Sequence, residues 1–246
     1  MKLRMIGTGS IAGQSRSAST LIDEKILVDC GNGIVKTIPE QYIPKIDVLL
    51  ITHLHGDHFL DTLFLILCRH FELMKNTLSI YCPCDTEKVV REIFALTYSG
   101  MDFERILSNA NVRFVEFTEL KNEEVLPGYF VTSYPVKHGK IEAYGFTVSH
   151  ENVTVGFSGD SAYCEGIEQI LENSNAAVLD SNFMIGTEQH MGFDIIPKLA
   201  QAYPQVTIIP THMRDDVRQA MQKLQVNNLI VPHDGQEITI PTNSML

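Results

Sequence analysis

Apolar and polar positions along the chain follow two rhythms. A two-residue alternation predicts strands over residues 3–6, 20–23, 25–29 and 47–52, the middle pair joined as a hairpin around Asp23-Glu24. Helical spacing follows: Phe59, Leu63, Ile66, Leu67 and Met74 share one face of a helix predicted over 59–75. A strand at 78–81 then leads into a second helix at 86–96. The second half repeats the rhythm, with strands at 112–117, 129–135, 145–149, 153–158, 176–180, 206–210 and 228–231, and helices at 166–171, 193–202 and 215–224. This succession predicts one α/β domain spanning residues 1–246, and it permits two sheets packed face to face with helices outside. Periodicity alone does not select that architecture, and the halves share no sequence repeat.

Composition narrows the class. With 19 Lys and Arg against 30 Asp and Glu, the 246-residue chain carries a formal charge of -11, which excludes a generally basic nucleic-acid coat. At 44% hydrophobic and 20% charged it reads as an ordinary soluble globule. The densest apolar segment, residues 59–74, is interrupted by Asp61, Arg69, His70 and Glu72, whereas a spanning helix needs roughly 20 mostly apolar residues. No membrane association is expected. The start turns to Gly and Ser before a signal-peptide core can develop, and the five cysteines lack CxxC spacing. Both features predict a reducing, cytoplasmic setting.

The chemistry concentrates after the apolar run Val48-Leu49-Leu50-Ile51, in Thr52-His53-Leu54-His55-Gly56-Asp57-His58. If strand geometry persists, His53 and His55 point to one face. A sharp turn permitted by Gly56 then brings Asp57 and His58 back beside them. Two adjacent cations fit such a set. A surface loop that happens to be His-rich is the plainer reading, but three histidines and an Asp behind a buried strand serve neither packing nor solubility. Neutral imidazoles with carboxylates suit zinc, and manganese or iron remain possible in similar geometry. Further candidates each stand just beyond a predicted strand: His138, Asp160 in Gly159-Asp160-Ser161, and His212 in Pro210-Thr211-His212. Taken singly, each has an ordinary role as a loop, capping or strand-end residue. Ser10, Arg16 and Ser17 offer a weak phosphate-contact signal, and His70, His150 and His233 match no ligand pattern.

The ordered set His-x-His-x-Asp-His, later His, Gly-Asp-Ser and Thr-His resembles the metallo-β-lactamase superfamily of hydrolases, most of all its ribonuclease Z group. Ile6-Gly7-Thr8-Gly9-Ser10 and Ile26-Leu27-Val28-Asp29-Cys30-Gly31 resemble the group's amino-terminal loop and its strand ending in Asp-x-Gly. The resemblance implies a four-layer αβ/βα sandwich with the site along one edge. It assigns His53, His55 and His138 to one divalent metal, Asp57, His58 and His212 to a second, and Asp160 to both. It also implies a homodimer. His190, in Gln189-His190-Met191-Gly192, resembles the group's histidine that assists phosphate cleavage without binding metal.

With the ligands placed as the resemblance implies, the site is expected to be dinuclear and hydrolytic, with Asp57 and Asp160 helping to orient a bridging hydroxide and His190 protonating the leaving oxygen or stabilising charge developing there. Two divalent ions, two carboxylates and one hydroxide leave about one positive charge, matching a phosphodiester monoanion. A small-molecule phosphodiesterase is the expected activity. Transfer-RNA 3′ processing is the family alternative, but His138 and Asp160 lie only 22 residues apart, too close for the arm of the longer ribonucleases Z. Where that group carries His-Glu-Ala-Thr, the chain has Leu179-Asp180-Ser181-Asn182, so the Glu expected beside His190 becomes at best Asp180. A lactonase is a further reading that gives no reason for His190, and a non-enzymatic binding protein that kept the fold is the last, against which all seven ligand positions are filled.

Overall fold

The computed structural model describes residues 1–242. Its first half comprises β1 (Lys2–Gly7), β2 (Ser19–Ile22), β3 (Ile26–Val28), a 3-10 turn at Glu40–Lys45, β4 (Val48–Leu50), α1 (Gly56–Phe59), α2 (Thr62–Phe71), β5 (Leu78–Pro83), α3 (Thr86–Thr97), α4 (Phe103–Ala110) and β6 (Val112–Phe117). The second comprises β7 (Glu123–Leu126), β8 (Tyr129–Pro135), β9 (Tyr144–His150), β10 (Val153–Phe157), α5 (Glu165–Glu172), β11 (Ala176–Asp180), α6 (Ile196–Ala202), β12 (Thr207–Thr211), α7 (Asp215–Met221) and β13 (Glu237–Thr239). One sheet runs β13-β1-β2-β3-β4-β5-β6 and the other β12-β11-β10-β9-β8-β7.

Period-two alternation decides which layer each strand residue enters. Val48 and Leu50 face the other sheet, in a core shared with Met5, Val28, Phe146, Val155, Val178 and Ile209. Leu49 and Ile51 point the opposite way, into a layer with Leu63, Ile66, Val90 and Ile106 from α2, α3 and α4. Ala177, Leu179 and Ile208 turn outward in the second sheet to meet Ile167, Ile170, Leu199 and Val217 from α5, α6 and α7. The result is the expected αβ/βα sandwich of four layers, each face held by burial of apolar side chains.

Three departures from the predicted elements have physical causes. The helix expected over 59–75 breaks after Phe59, because Asp61 is drawn into tertiary bonds: its N–H donates to Cys30 O at 2.9 Å and its carboxylate accepts from Val35 N at 2.9 Å. Helix α4 lies where none was expected; Asp102 caps it by accepting from Arg105 N, and Asn111 closes it in the left-handed region at φ 50°. Residues 228–231 form no ladder strand, only a bridge between Ile208 and Leu229, and β13 pairs with β1 instead.

The topology gathers one edge. Strands β3, β4, β5 and β6 run parallel in one sheet, and β10, β11 and β12 run parallel in the other. β8 and β10 both pair antiparallel with β9, so their carboxyl ends share an edge. Tyr144 N donates to Thr52 O at 3.0 Å and joins the sheets there. The segments after β4, β8, β10, β11 and β12 are the ones that carry the candidate ligands.

Candidate metal centre

His53 and His55 follow β4 in extended backbone, with His55 at φ -76° and ψ 146°. The chain then folds directly into α1, so that Asp57 and His58 return toward the same edge. Gly56 is not the cause of this turn: it is not among the positive-φ glycines, and a Cβ on it would meet only the end of the Leu60 side chain, at 2.8 Å. The glycine that matters is Gly31, where an added Cβ would lie 1.7 Å from the Asp57 carbonyl oxygen. The 26–31 strand end therefore packs against the ligand turn backbone to backbone, and Cys30 N donates to His58 O at 2.7 Å.

Asp29, at φ 58°, fixes this half of the site. Its carboxylate accepts from Thr52 N at 2.8 Å, Thr52 Oγ1 at 2.9 Å and His58 Nδ1 at 2.8 Å. His53 Nδ1 lies 3.0 Å from Thr52 Oγ1, and His138 Nδ1 lies 2.9 Å from Gln189 O. With each Nδ1 donating, the Nε2 lone pairs of His53 and His58 are free to face inward, and that of His138 meets His55.

On the other half, Asp160 follows Gly159, whose φ of 56° suits glycine, and His212 adopts φ 54° without being glycine. Asp160 Oδ1 is 3.3 Å from both His58 Nε2 and His212 Nδ1, and its Oδ2 is 3.9 Å from His53 Nε2. His212 Nε2 is 3.3 Å from Asp57 Oδ2, and His138 Nε2 is 3.1 Å from His55 Nδ1. Asp160 thus stands between two groups whose candidate ligand atoms lie within 4.8 Å of one another: His53, His55, His138 and Asp160 in one, and Asp57, His58 and His212 in the other.

His190 sits beside both groups without belonging to either. Its Nδ1 pairs with Asp180 Oδ2 at 2.8 Å and lies 3.9 Å from Asp160 Oδ2, while its ring stacks on His212 at 5.5 Å. Asp180, fully buried, also faces His212 Nδ1 at 3.5 Å and accepts from Ser161 N and Asn182 N. A third set within 4.8 Å, made of Asp160, Asp180, His190 and His212, overlaps both, sharing Asp160 with the first and His212 with the second.

These residues fit divalent ions. Four buried atoms, His53 Nε2, His58 Nε2, His212 Nδ1 and Asp160 Oδ1, converge with no hydrogen-bond partner among the described residues. Buried polar atoms are almost always satisfied, so four orphans aimed at one another call for something between them. Electrostatics agree. Burial lowers the His53 pKa well below the ordinary value. Burial also opposes charge on His58 and His212, but the neighbouring carboxylates together outweigh it: Asp160 and Asp29 raise His58, and Asp160, Asp180 and Asp57 raise His212 to about 10. Asp160 is lowered strongly against its own burial penalty by His212 and His58. Cations stabilise this pocket, whether protons or metals. His190 is held above the ordinary value because the bond to Asp180 and the charges of Asp180 and Asp160 together overcome partial burial.

All eight site residues expected from sequence therefore meet at one edge. The weak phosphate candidates do not: Ser10 Oγ donates to Ala12 O, Ser17 Oγ to Asn32 Oδ1, and Arg16 Nη1 to Ile6 O, so their polar ends serve the loop itself. His150 stacks on Tyr129, and His233 is exposed, its Nδ1 3.1 Å from Asp234 O; both lie outside the site. Sequence reasoning missed the anchoring role of Asp29, whose signal was its place in an Asp-x-Gly strand end.

Comparisons with known proteins agree with this geometry. The family model described as a beta-lactamase superfamily domain matches residues 24–213. A ribonuclease Z of Methanococcus maripaludis is 31% identical over 145 residues, covering 56% of this chain and 46% of that protein, so the match spans about half the relative's length. Among solved structures, a diphosphatase of the PhnP family superposes with a TM-score of 0.75 at 20% identity, covering 98% of each chain. The short form of human tRNase Z gives 0.72 at 16% identity, covering 98% of this chain and all of that one. The chain belongs to the beta-lactamase superfamily domain family, and its architecture is the metallo-β-lactamase fold.

Proposed function

We propose that this chain is a metal-dependent hydrolase of small phosphodiesters. Two divalent ions, zinc first among them, would be held by His53, His55 and His138 on one side and Asp57, His58 and His212 on the other, with Asp160 available to both. Such ions supply a water of lowered pKa and a Lewis-acidic clamp on phosphoryl oxygens. The protein's own part is orientation and proton transfer. Asp57 and Asp160 present acceptor oxygens that orient a nucleophilic water, and His190 delivers a proton to the departing alcohol oxygen.

The observation that carries this reading is the His190–Asp180 pair. At 2.8 Å, Asp180 fixes the Nδ1 proton and leaves His190 Nε2 to address the leaving group, beside the shared carboxylate but outside both principal ligand sets.

Transfer-RNA 3′ processing is the second reading, favoured by the curated relatives named ribonuclease Z. Two features weigh toward a small substrate instead. The span between His138 and Asp160 is taken up by the β9–β10 hairpin, and the chain carries a net charge of -11, unfavourable to a long polyanion. Among the described residues no helix is long and apolar enough to cross a membrane. A homodimer belongs to the same reading: Phe64 and Phe71 are exposed on one face of α2, and sedimentation velocity would register a second copy covering them.

The deciding experiment measures bound metal and screens the same sample against bis(4-nitrophenyl) phosphate, cyclic nucleotides, precursor transfer RNA and lactones. Metal-dependent turnover of the small diesters without cleavage of the RNA supports the proposal. Exclusive turnover of RNA or of lactones overturns it.

A further inference from the structure

Outside the ligand sets, one cation stands on the side of the centre where His190 acts. Arg214 follows His212 by two residues, and its backbone is positioned through its neighbour: Met213 N donates to Thr8 O at 3.1 Å, and Met213 O accepts from Ser10 N at 3.4 Å. Its guanidinium lies over the Phe183 ring at 5.8 Å, and that ring stands edge-on to His190 at 5.6 Å. Phe183 thus lies between the proton donor and the cation.

The loop that carries Phe183 is closed on itself. Phe193 N donates to Phe183 O at 2.8 Å, Thr187 N to His190 O at 2.8 Å and Gly186 N to Asp194 Oδ1 at 2.8 Å. Its tip nevertheless exposes Met184 at 40% and Ile185 at 72%. Among the described residues, Arg214 forms one ion pair, a loose 3.9 Å contact from Nε to Asp216, and both side chains are at least half exposed. A guanidinium over an aromatic ring, with its Nη fork paired to no carboxylate among the described residues, is prepared for a planar anion. In a chain of charge -11, such a cation also offers an anionic substrate a local attraction.

We propose that Arg214, Phe183, Met184 and Ile185 form the leaving-group subsite, and that the alcohol released by this enzyme carries an anionic substituent of its own, received by Arg214. The apolar tip contacts the hydrocarbon part of that alcohol, and the guanidinium takes its carboxylate or phosphate. This rests on the phosphodiesterase reading, in which His190 marks the leaving side.

The test uses a matched pair, methyl 4-nitrophenyl phosphate and methyl 3-carboxy-4-nitrophenyl phosphate, which differ by one negative charge on the leaving phenol. In Arg214→Gln the ratio of kcat/KM for the carboxylated ester to that for the plain ester is expected to fall about tenfold or more from its wild-type value, with Arg214→Lys restoring part of it. Calorimetry with the product 5-hydroxy-2-nitrobenzoate provides a readout independent of turnover, and its binding should weaken in the Gln variant by a similar factor. An unchanged ratio together with unchanged product binding overturns the subsite while leaving the phosphodiesterase reading intact. Wild-type protein that is metal-loaded yet cleaves neither ester overturns that reading, and the subsite with it.

Discussion

The two halves of the centre are built in opposite ways. His53, His55, Asp57 and His58 come from one six-residue stretch, whereas His138, Asp160, His190 and His212 come from four separate segments of the second sheet's edge. Each half has its own buried carboxylate. Asp29 accepts from Thr52 and His58, and Asp180 accepts from His190, Ser161 and Asn182 while facing His212. The difference teaches that, in the proposed mechanism, Asp29 would support ligand geometry alone, while Asp180 would support a ligand and the proton donor together.

The strongest way to break the comparison is to remove the residue common to both halves. Asp160→Ala should reduce bound metal to below two ions per chain and abolish metal-dependent turnover, exceeding the roughly 10–100-fold loss of affinity that follows removal of a supporting partner. Elemental analysis after dialysis reads the outcome. Next in size is His190→Ala, expected to lower kcat by about 10² to 10⁴ while both ions stay bound. Loss of metal in that variant would instead make His190 a ligand, as the overlapping set with Asp160, Asp180 and His212 allows.

The two supporting aspartates then separate the halves. Asp29→Asn should weaken metal binding roughly 10–100-fold through His58, with kcat preserved once the site is saturated. Asp180→Asn should weaken metal binding through His212 and also lower kcat at saturating metal, because the His190 proton loses its partner. If both variants behave alike at saturation, the distinction between the halves fails.

The smallest effect is the pH response. Burial disfavours the charged form of His212, yet Asp160, Asp180 and Asp57 raise it from its ordinary 6.5 to about 10. In metal-free protein the stability from this raised pKa is fully present below pH 6.5 and is lost as pH rises through about 10. Metal must displace that proton, so metal affinity should rise with pH over the same window. Thermal melts of metal-free protein and metal titrations in buffers of different ionisation enthalpy check the two signs.

How much of this was legible in the sequence follows from the same contrast. The 53–58 stretch declares itself because its ligands are consecutive and follow a fully apolar strand. The distant ligands were legible one by one only through resemblance, since nothing local distinguishes His138 or His212 from a strand-end histidine. Asp180 was visible as a substitute for Glu, but its contacts depend on how β11 and β12 bring Asp180 and Thr211 into register. Arg214 gave no signal, because its role depends on Phe183, which is 31 positions away and adjacent only through tertiary packing. Among the elements, α4 was missed although Asp102 and Asn111 were capping signals, and the break at Asp61 was set by bonds to Cys30 and Val35 that periodicity does not carry.

The central claim is a pair of ions shared by Asp160. Anomalous diffraction at the zinc edge from metal-loaded crystals tests it most directly. The account predicts two peaks about 3.5–4 Å apart, one against His53, His55 and His138 and the other against Asp57, His58 and His212, with the Asp160 carboxylate touching both. A single peak, or zinc bound away from Asp160, would contradict it.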